Sequence, residues 1–325
     1  MKASAILSAL HALIAARQPT FVWGGPGLGK SDIVRQVAKE KNVALQDVRA
    51  LLLDAVELRG LPYLSQDHQA KWASPDFLPR RGEGILFLDE LNAAPPMVQA
   101  GCYQLVLDRK LGDYTLPEGW SIIAAGNREG DRAVTSRMPT PLRNRFTHLT
   151  FEVDMQEWCE WAIGAKIRPE VIAFIRFKPD LLSQFDRDAN AFPSPRSWSF
   201  VSGILNQAPA SSIEHDLIAG TIGNGAATEF SAFLQTFRNL PNIDSILLNP
   251  DQEPVPDNAA AQFAVASALS YRATDTNFDR ICKYIKRMPI EFSVLCVHDA
   301  SRREPNVRHT AGYTQWAVEN HHVIS

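Results

Sequence analysis

The segment Gly24-Gly25-Pro26-Gly27-Leu28-Gly29-Lys30-Ser31 carries the strongest chemical signal in the chain. Its spacing is G-x-x-x-x-G-K-[ST]. Glycines let the backbone curl so that successive N–H groups point inward at an anion. A helix starting near Lys30 adds the positive end of its dipole. Lys30 is then placed to reach the β- and γ-phosphates of a nucleotide, and Ser31 to hold Mg2+. A plain glycine turn between a strand and a helix is the bland alternative. The run Gly24 to Asp32 is the expected nucleotide-binding set.

A second group follows at Ile85-Leu-Phe-Leu-Asp89-Glu90. An apolar strand ending in two acids sets both carboxylates at the edge of a buried sheet. There Asp89 can bind Mg2+, and Glu90 can polarise an attacking water. Taken alone, this could be a strand followed by a solvated acidic turn; together with the glycine loop it favours a hydrolase over a small-molecule kinase. Asn127, after Ile123-Ala-Ala-Gly, is a polar amide at the tip of another apolar run and can hold the lytic water, although Gly-Asn is also a common turn.

Arg128, Arg132, Arg137, Arg143 and Arg145 form a basic group. It can be read as a solvated face or a nucleic-acid patch. Arg143 and Arg145, however, fall just before a strand on the far side of the domain from the glycine loop. From there they would reach a neighbour's phosphate rather than their own, as an arginine finger in trans, and such a head-to-tail contact implies a ring. Arg196, in Ser194-Pro-Arg-Ser-Trp198, opens a helix and could fold back over the nucleotide; a Pro-initiated helix with an exposed arginine explains it equally well.

The elements that must hold these residues alternate. Strands are expected at Thr20–Trp23, Leu45–Arg49, Gly84–Asp89, Trp120–Gly126 and His148–Val153, with a helix over Lys30–Glu40. Strands alternating with helices imply a parallel sheet covered on both faces. After Val153 the pattern turns helical. Asp154-Met-Gln-Glu157 reads as a capping box, and helices are expected at Pro169–Arg176, Ser197–Asn206 and Ala226–Phe237. A proline-rich break, Asn249–Asn258, precedes a helix at Ala259–Leu269 capped by Asp257 or Asn258. The expected domains are 1–153, 154–248 and 249–325.

The 325 residues are 45% hydrophobic, enough for a sizeable core. Net charge is −3, with the acid concentrated after residue 150, which argues against a chain that coats nucleic acid by bulk charge. None of the four cysteines forms a Cys-x-x-Cys pair, so a reducing cytoplasm fits. The apolar start after Met1-Lys2 reads as an amphipathic helix rather than a signal peptide. No segment has the ~18 apolar residues of a membrane span.

These motifs, in this order, resemble the AAA+ ATPases, specifically the MoxR group. The resemblance is carried by FLDELNAAPPMVQ (Phe87–Gln99), LRNRF (Leu142–Phe146), FPSPRSWSFVS (Phe192–Ser202) and the stretch Glu157–Asp186, and it covers roughly residues 1–240. It implies a five-stranded parallel sheet flanked by helices, a helical lid, and a helical C-terminal extension. It implies ATP and Mg2+ as ligands. Lys30 and Ser31 would be the Walker A pair, Asp89 and Glu90 Walker B, Asn127 sensor 1, Arg145 or Arg143 the finger, and Arg196 sensor 2. β-hairpins are implied at Leu61–Ala73 and Lys110–Leu116. The family forms hexameric rings, often beside a separate partner with a von Willebrand A domain, which the ring remodels or activates. Arg128 departs from the proline that often follows the sensor asparagine. A nucleic-acid motor of the McrB type is the rival reading; it needs a basic track that the acidic second half lacks.

Overall fold

The computed structural model describes residues 1–128, 138–240 and 242–321, so Arg132 and Arg137 lie outside the described residues. The chain divides into two compact units, Met1–Asp154 and Met155–Ser325.

In the first unit, helix α1 (Ala3–Ala15) leads to strand β1 (Thr20–Trp23), helix α2 (Lys30–Lys41) and strand β2 (Ala44–Arg49). Helix α3 (Ala55–Arg59) precedes the hairpin of β3 (Leu61–Leu64) and β4 (Ala70–Ala73). Then come β5 (Gly84–Asp89), α4 (Pro96–Asp108), and the short hairpin of β6 (Lys110–Leu111) and β7 (Tyr114–Thr115). Strand β8 (Trp120–Gly126), helix α5 (Thr140–Arg143) and strand β9 (Thr147–Thr150) complete the unit. Both hairpins are antiparallel and fall in the two stretches expected for them.

Five strands make one sheet in the order β2-β5-β8-β1-β9, and every pairing in it is parallel. This is the expected α/β architecture of a helix-flanked P-loop NTPase sheet. Successive strand residues point to opposite faces. Ile85, Phe87, Val22, Ile123 and Leu149 bury one face beneath Ile6 and Leu10 of α1 and Val34 and Val37 of α2. Leu86, Leu88, Phe21, Ile122 and Ala124 bury the other beneath Leu58 of α3 and Val98, Cys102 and Leu105 of α4. Double coverage is why these strands read as unbroken apolar runs. Each fully buried aliphatic or aromatic side chain contributes about 1.5–3 kcal/mol.

Strand β9 is shorter than expected from the sequence, ending at Thr150 rather than Val153. Thr150 pairs with Trp23, the last residue of β1. Beyond Trp23 the chain turns into the glycine loop, so a longer β9 would have no ladder partner. One further bond, Phe151 N–H to Trp23 C=O at 2.7 Å, closes the edge.

The second unit, in its described residues, is helical. It contains α6 (Met155–Gly164), α7 (Pro169–Phe177), α8 (Pro195–Asn206), α9 (Ser211–Ile222) and α10 (Asn224–Arg238). The chain continues through α11 (Ile243–Leu248), α12 (Ala259–Arg272), α13 (Phe278–Ile285), α14 (Ile290–Arg303) and α15 (Ala311–Glu319). Asn258, rather than Asp257, caps α12: its Oδ1 accepts the Ala261 N–H at 2.8 Å. Helix α12 lies against both α7 and α14, so helices from either side of the proline-rich segment pack together. The four cysteines are free and buried. Burial pushes the Cys102 thiol up to about 12, leaving it a small apolar side chain. Among the described residues no helix is long and apolar enough to cross a membrane.

A buried ion pair joins α7 to α14. Arg176 Nη2 donates to Asp299 Oδ1 at 2.8 Å, and Nη1 donates to the other carboxylate oxygen. Their side chains are only 8% and 4% exposed. Burial opposes ionisation of Asp299, but hydrogen bonds from His298 and Arg176, with the Arg176 charge, hold its carboxyl below the usual range. Removing one partner leaves a buried charge. We therefore expect Asp299→Asn to cost about 3–5 kcal/mol in urea denaturation, and Arg176→Met with Asp299→Leu to cost much less. The stability that this depressed carboxyl contributes is complete above its unfolded value, about pH 4, and is lost as pH falls further. The double variant should lack that acid-sensitive component.

Candidate nucleotide-phosphate site

The glycine loop leaves the carboxyl end of β1 and enters α2. Gly27 and Gly29 have φ of 73° and 94°, a left-handed backbone that glycine adopts without steric cost. Gly29 is the N-cap residue of α2 and has no side chain to cap it. The first backbone bond of α2 runs from Ile33 N–H to Gly29 C=O at 3.0 Å. The N–H groups of Ser31 and Asp32 thus have no intrahelical acceptor and are available to an anion. The Asp32 carboxylate itself accepts from Arg35 Nη1 at 2.6 Å, so its contribution to a phosphate is its backbone N–H.

Three neighbouring strands bring the remaining groups together. Asp89 ends β5, Asn127 follows β8, and Lys30 stands past the loop that leaves β1. Lys30 Nζ donates to Gly24 O at 2.7 Å, Gly25 O at 2.9 Å and Asn127 Oδ1 at 2.9 Å. Ser31 Oγ donates to Asp89 Oδ2 at 2.8 Å. A serine hydroxyl beside a carboxylate is a hard oxygen pair of the kind Mg2+ takes, together with water and phosphate oxygens. The donor set therefore fits this ion.

Glu90 follows Asp89 in a left-handed backbone with φ of 57°. Its N–H donates to Asp89 Oδ1 at 3.0 Å, which orients the carboxylate next to it. Non-glycine residues held this way cluster at functional sites. Glu90 is half-buried, close to Asp89 and at the same sheet edge. The arrangement offers a cationic phosphate ligand, a metal-ligand pair, a carboxylate and an amide.

Arg143 and Arg145 do not join this group. They precede the amino end of β9, whereas the glycine loop leaves the carboxyl end of the adjacent β1. Arg143 Nη2 donates to Thr140 Oγ1 at 3.3 Å, and the Arg145 guanidinium lies 6.0 Å from the Tyr103 ring centroid. Arg128 Nη2 donates to the Phe151 carbonyl at 2.8 Å. Arg196 belongs to the second unit, exposed in the first turn of α8. Ser194 and Ser197 form that helix's capping box, with Ser194 N–H to Ser197 Oγ at 2.8 Å and Ser197 N–H to Ser194 Oγ at 3.1 Å.

One residue of the site does not stand out in the sequence. Asn92, 2% exposed, donates from Nδ2 to the Asn127 carbonyl at 2.7 Å. It thereby ties the turn after Asp89-Glu90 to the end of β8. Its position two residues past Glu90 is the only local signal.

No protein-family model matches the chain, and no curated protein matches it. Among solved structures it is similar to the Holliday junction branch migration motor RuvB of Thermotoga maritima. Identity there is 17%, with 82% of this chain and 80% of that chain covered and a TM-score of 0.41. It is also similar to NtrX of Brucella abortus in complex with ATP, at 14% identity, 96% and 65% coverage and a TM-score of 0.44. Similarity this distant leaves the chemistry to be read from the geometry of this chain itself.

The Asn92 tie needs Gly126. A Cβ there would sit 2.0 Å from Asn92 Oδ1 and 2.9 Å from Phe21. We expect Gly126→Ala to destabilise the protein by about 1–3 kcal/mol. In contrast, a Cβ at Gly203, inside α8, would meet nothing within 4 Å. Gly203→Ala should stabilise by roughly 0.5–1 kcal/mol through helix propensity. Thermal and urea denaturation of the two variants check both signs.

Proposed function

We propose that the chain is an ATP-hydrolysing AAA+ ATPase of the MoxR type, working as a homo-oligomeric, hexameric ring whose turnover remodels or activates a partner protein. The observation that carries this reading is the convergence of Lys30, Ser31, Asp89, Glu90 and Asn127 on one sheet edge. The partner implied by the resemblance is a separate protein with a von Willebrand A domain. In this reading residues 1–153 bind nucleotide, 154–248 form the lid, and 249–325 are a helical extension packed on it.

The contacts of Lys30, Ser31, Asp89 and Asn127 support the roles proposed for the phosphate site, and the resemblance supports those proposed for Arg143, Arg145 and Arg196. The loop from Gly24 to Gly29 and the first turn of α2 would receive the phosphates. Lys30 would exchange the Gly24 and Gly25 carbonyls for phosphate oxygens, a gain because the new partner is charged. Ser31 and Asp89 would hold Mg2+, which supplies charge neutralisation at the phosphates when bound. Glu90 would polarise the attacking water, and Asn127, beside Lys30, would orient it. Arg145, with Arg143 as the other candidate, would stabilise the charge developing at a neighbouring subunit's site. Arg196 would report nucleotide state from the lid.

Three measurements test this. Glu90→Gln should retain ATP binding while turnover falls about 10²–10⁴-fold, the range for loss of a general base. Arg145→Ala should lower turnover by roughly 10³–10⁵ if it is the whole finger. Mixing Arg145→Ala with Glu90→Gln subunits should restore part of the activity; no recovery would count against a finger acting in trans.

A further inference from the structure

We propose that His148 is a positioning residue that ties the arginine-bearing segment Arg143–Arg145 to the strand delivering the phosphate loop. This deepens the ATPase reading and rests on it. The indole Nε1 of Trp23 donates to His148 Nδ1 at 2.8 Å. The other ring nitrogen, Nε2, lies 2.8 Å from the Arg143 carbonyl oxygen. These partners decide the proton. An indole N–H can only donate, and a carbonyl oxygen can only accept. His148 is therefore a neutral ring with its hydrogen on Nε2, accepting on one side and donating on the other.

The ring is also held by stacking. His148 lies on Trp23 at 5.9 Å and 24°, and Trp23 lies on Phe21 at 4.1 Å. Phe146 meets Phe21 edge-on at 5.5 Å. Trp23 is the last residue of β1, and the glycine loop begins at the next position. Arg143 is the last residue of α5, and its carbonyl also accepts the Phe146 N–H at 3.2 Å, fixing the turn that carries Arg145.

The relay thus spans the sheet from its phosphate edge to its arginine edge. A shift of Trp23 when the loop closes on phosphate would be passed to the arginine arm that a subunit offers its neighbour. A purely local role, in which His148 only steadies an edge strand, would lower stability without acting on another subunit's site.

The test separates these roles. His148→Phe keeps a stacking ring and removes both hydrogen bonds; His148→Gln keeps one donor and one acceptor. In assemblies of one variant, His148→Phe should lower kcat about 5–10-fold, as expected for a lost hydrogen bond, with KM for ATP unchanged. His148→Gln should recover most of that loss. Mixing His148→Phe with Glu90→Gln subunits should raise turnover per His148→Phe subunit, because the Glu90→Gln neighbour offers an intact arginine arm to an intact phosphate site. Wild-type kcat in His148→Phe would overturn the proposal. So would relief by mixing for Arg145→Ala but not for His148→Phe. Failure of mixing to relieve Arg145→Ala would overturn the trans-acting finger itself, and this proposal with it.

Discussion

Strands β5, β8 and β1 lie side by side and run in the same direction, so their carboxyl ends meet at one edge. The candidate site depends on that pairing. Parallel neighbours need crossover connections, and the crossover helices bury both sheet faces. Inside the sheet there is consequently no room for polar chemistry: Ile85 through Leu88 are all at most 1% exposed. Asp89, Asn127 and the glycine loop emerge only where the strands stop. The same edge then collects a cation, two carboxylates and an amide from segments far apart in the chain.

Short polar ties join the segments at this edge. Lys30 contacts two loop carbonyls and Asn127, and Asn92 reaches the Asn127 backbone. The site is partly buried, where such bonds strengthen one another and are costly to leave unmade. Gly126 permits the close approach, because any side chain there would overlap the Asn92 amide. A ligand that replaces the Lys30 contacts with charged oxygens therefore acts on Asn127 as well as on the loop. Under the proposed ATPase reading, phosphate binding and water positioning would be parts of one network.

How much of this could be read from sequence follows from the range of each interaction. The loop from Gly24 to Ser31 is legible because its chemistry is local: glycine dihedrals, a lysine and a hydroxyl within one short run. The buried strands are legible because double coverage makes them apolar throughout. The end of β9 is not, since it is set by where β1 stops. Asn92 reaches 35 residues to Asn127, and Trp23 reaches 125 residues to His148. Neither residue type is unusual in its own neighbourhood, so only the folded sheet reveals the pairing. The buried Arg176–Asp299 pair is hidden for the same reason, 123 residues apart. Local motifs identify the chemistry, and long-range ties determine how it is held.

The two edges of the sheet have different chemical character. The carboxyl edge carries the groups suited to phosphate and water, while Arg143 and Arg145 stand at the amino edge beside β9. A strand's length separates the edges, and the arginine side chains are occupied locally by Thr140 and Tyr103. Within one chain Arg143 and Arg145 precede the amino end of β9, whereas the glycine loop leaves the carboxyl end of the adjacent β1. Contact between the amino edge of one copy and the carboxyl edge of the next would unite the two sets. Such a contact is heterologous, so it either repeats without end or closes into a ring when the rotation per step divides a full turn. Under the proposed ATPase reading, closure does more than fix stoichiometry. Each site would then draw its last charge from the neighbour, and the Trp23–His148–Arg143 chain of bonds would make that charge sensitive to the neighbour's own phosphate loop.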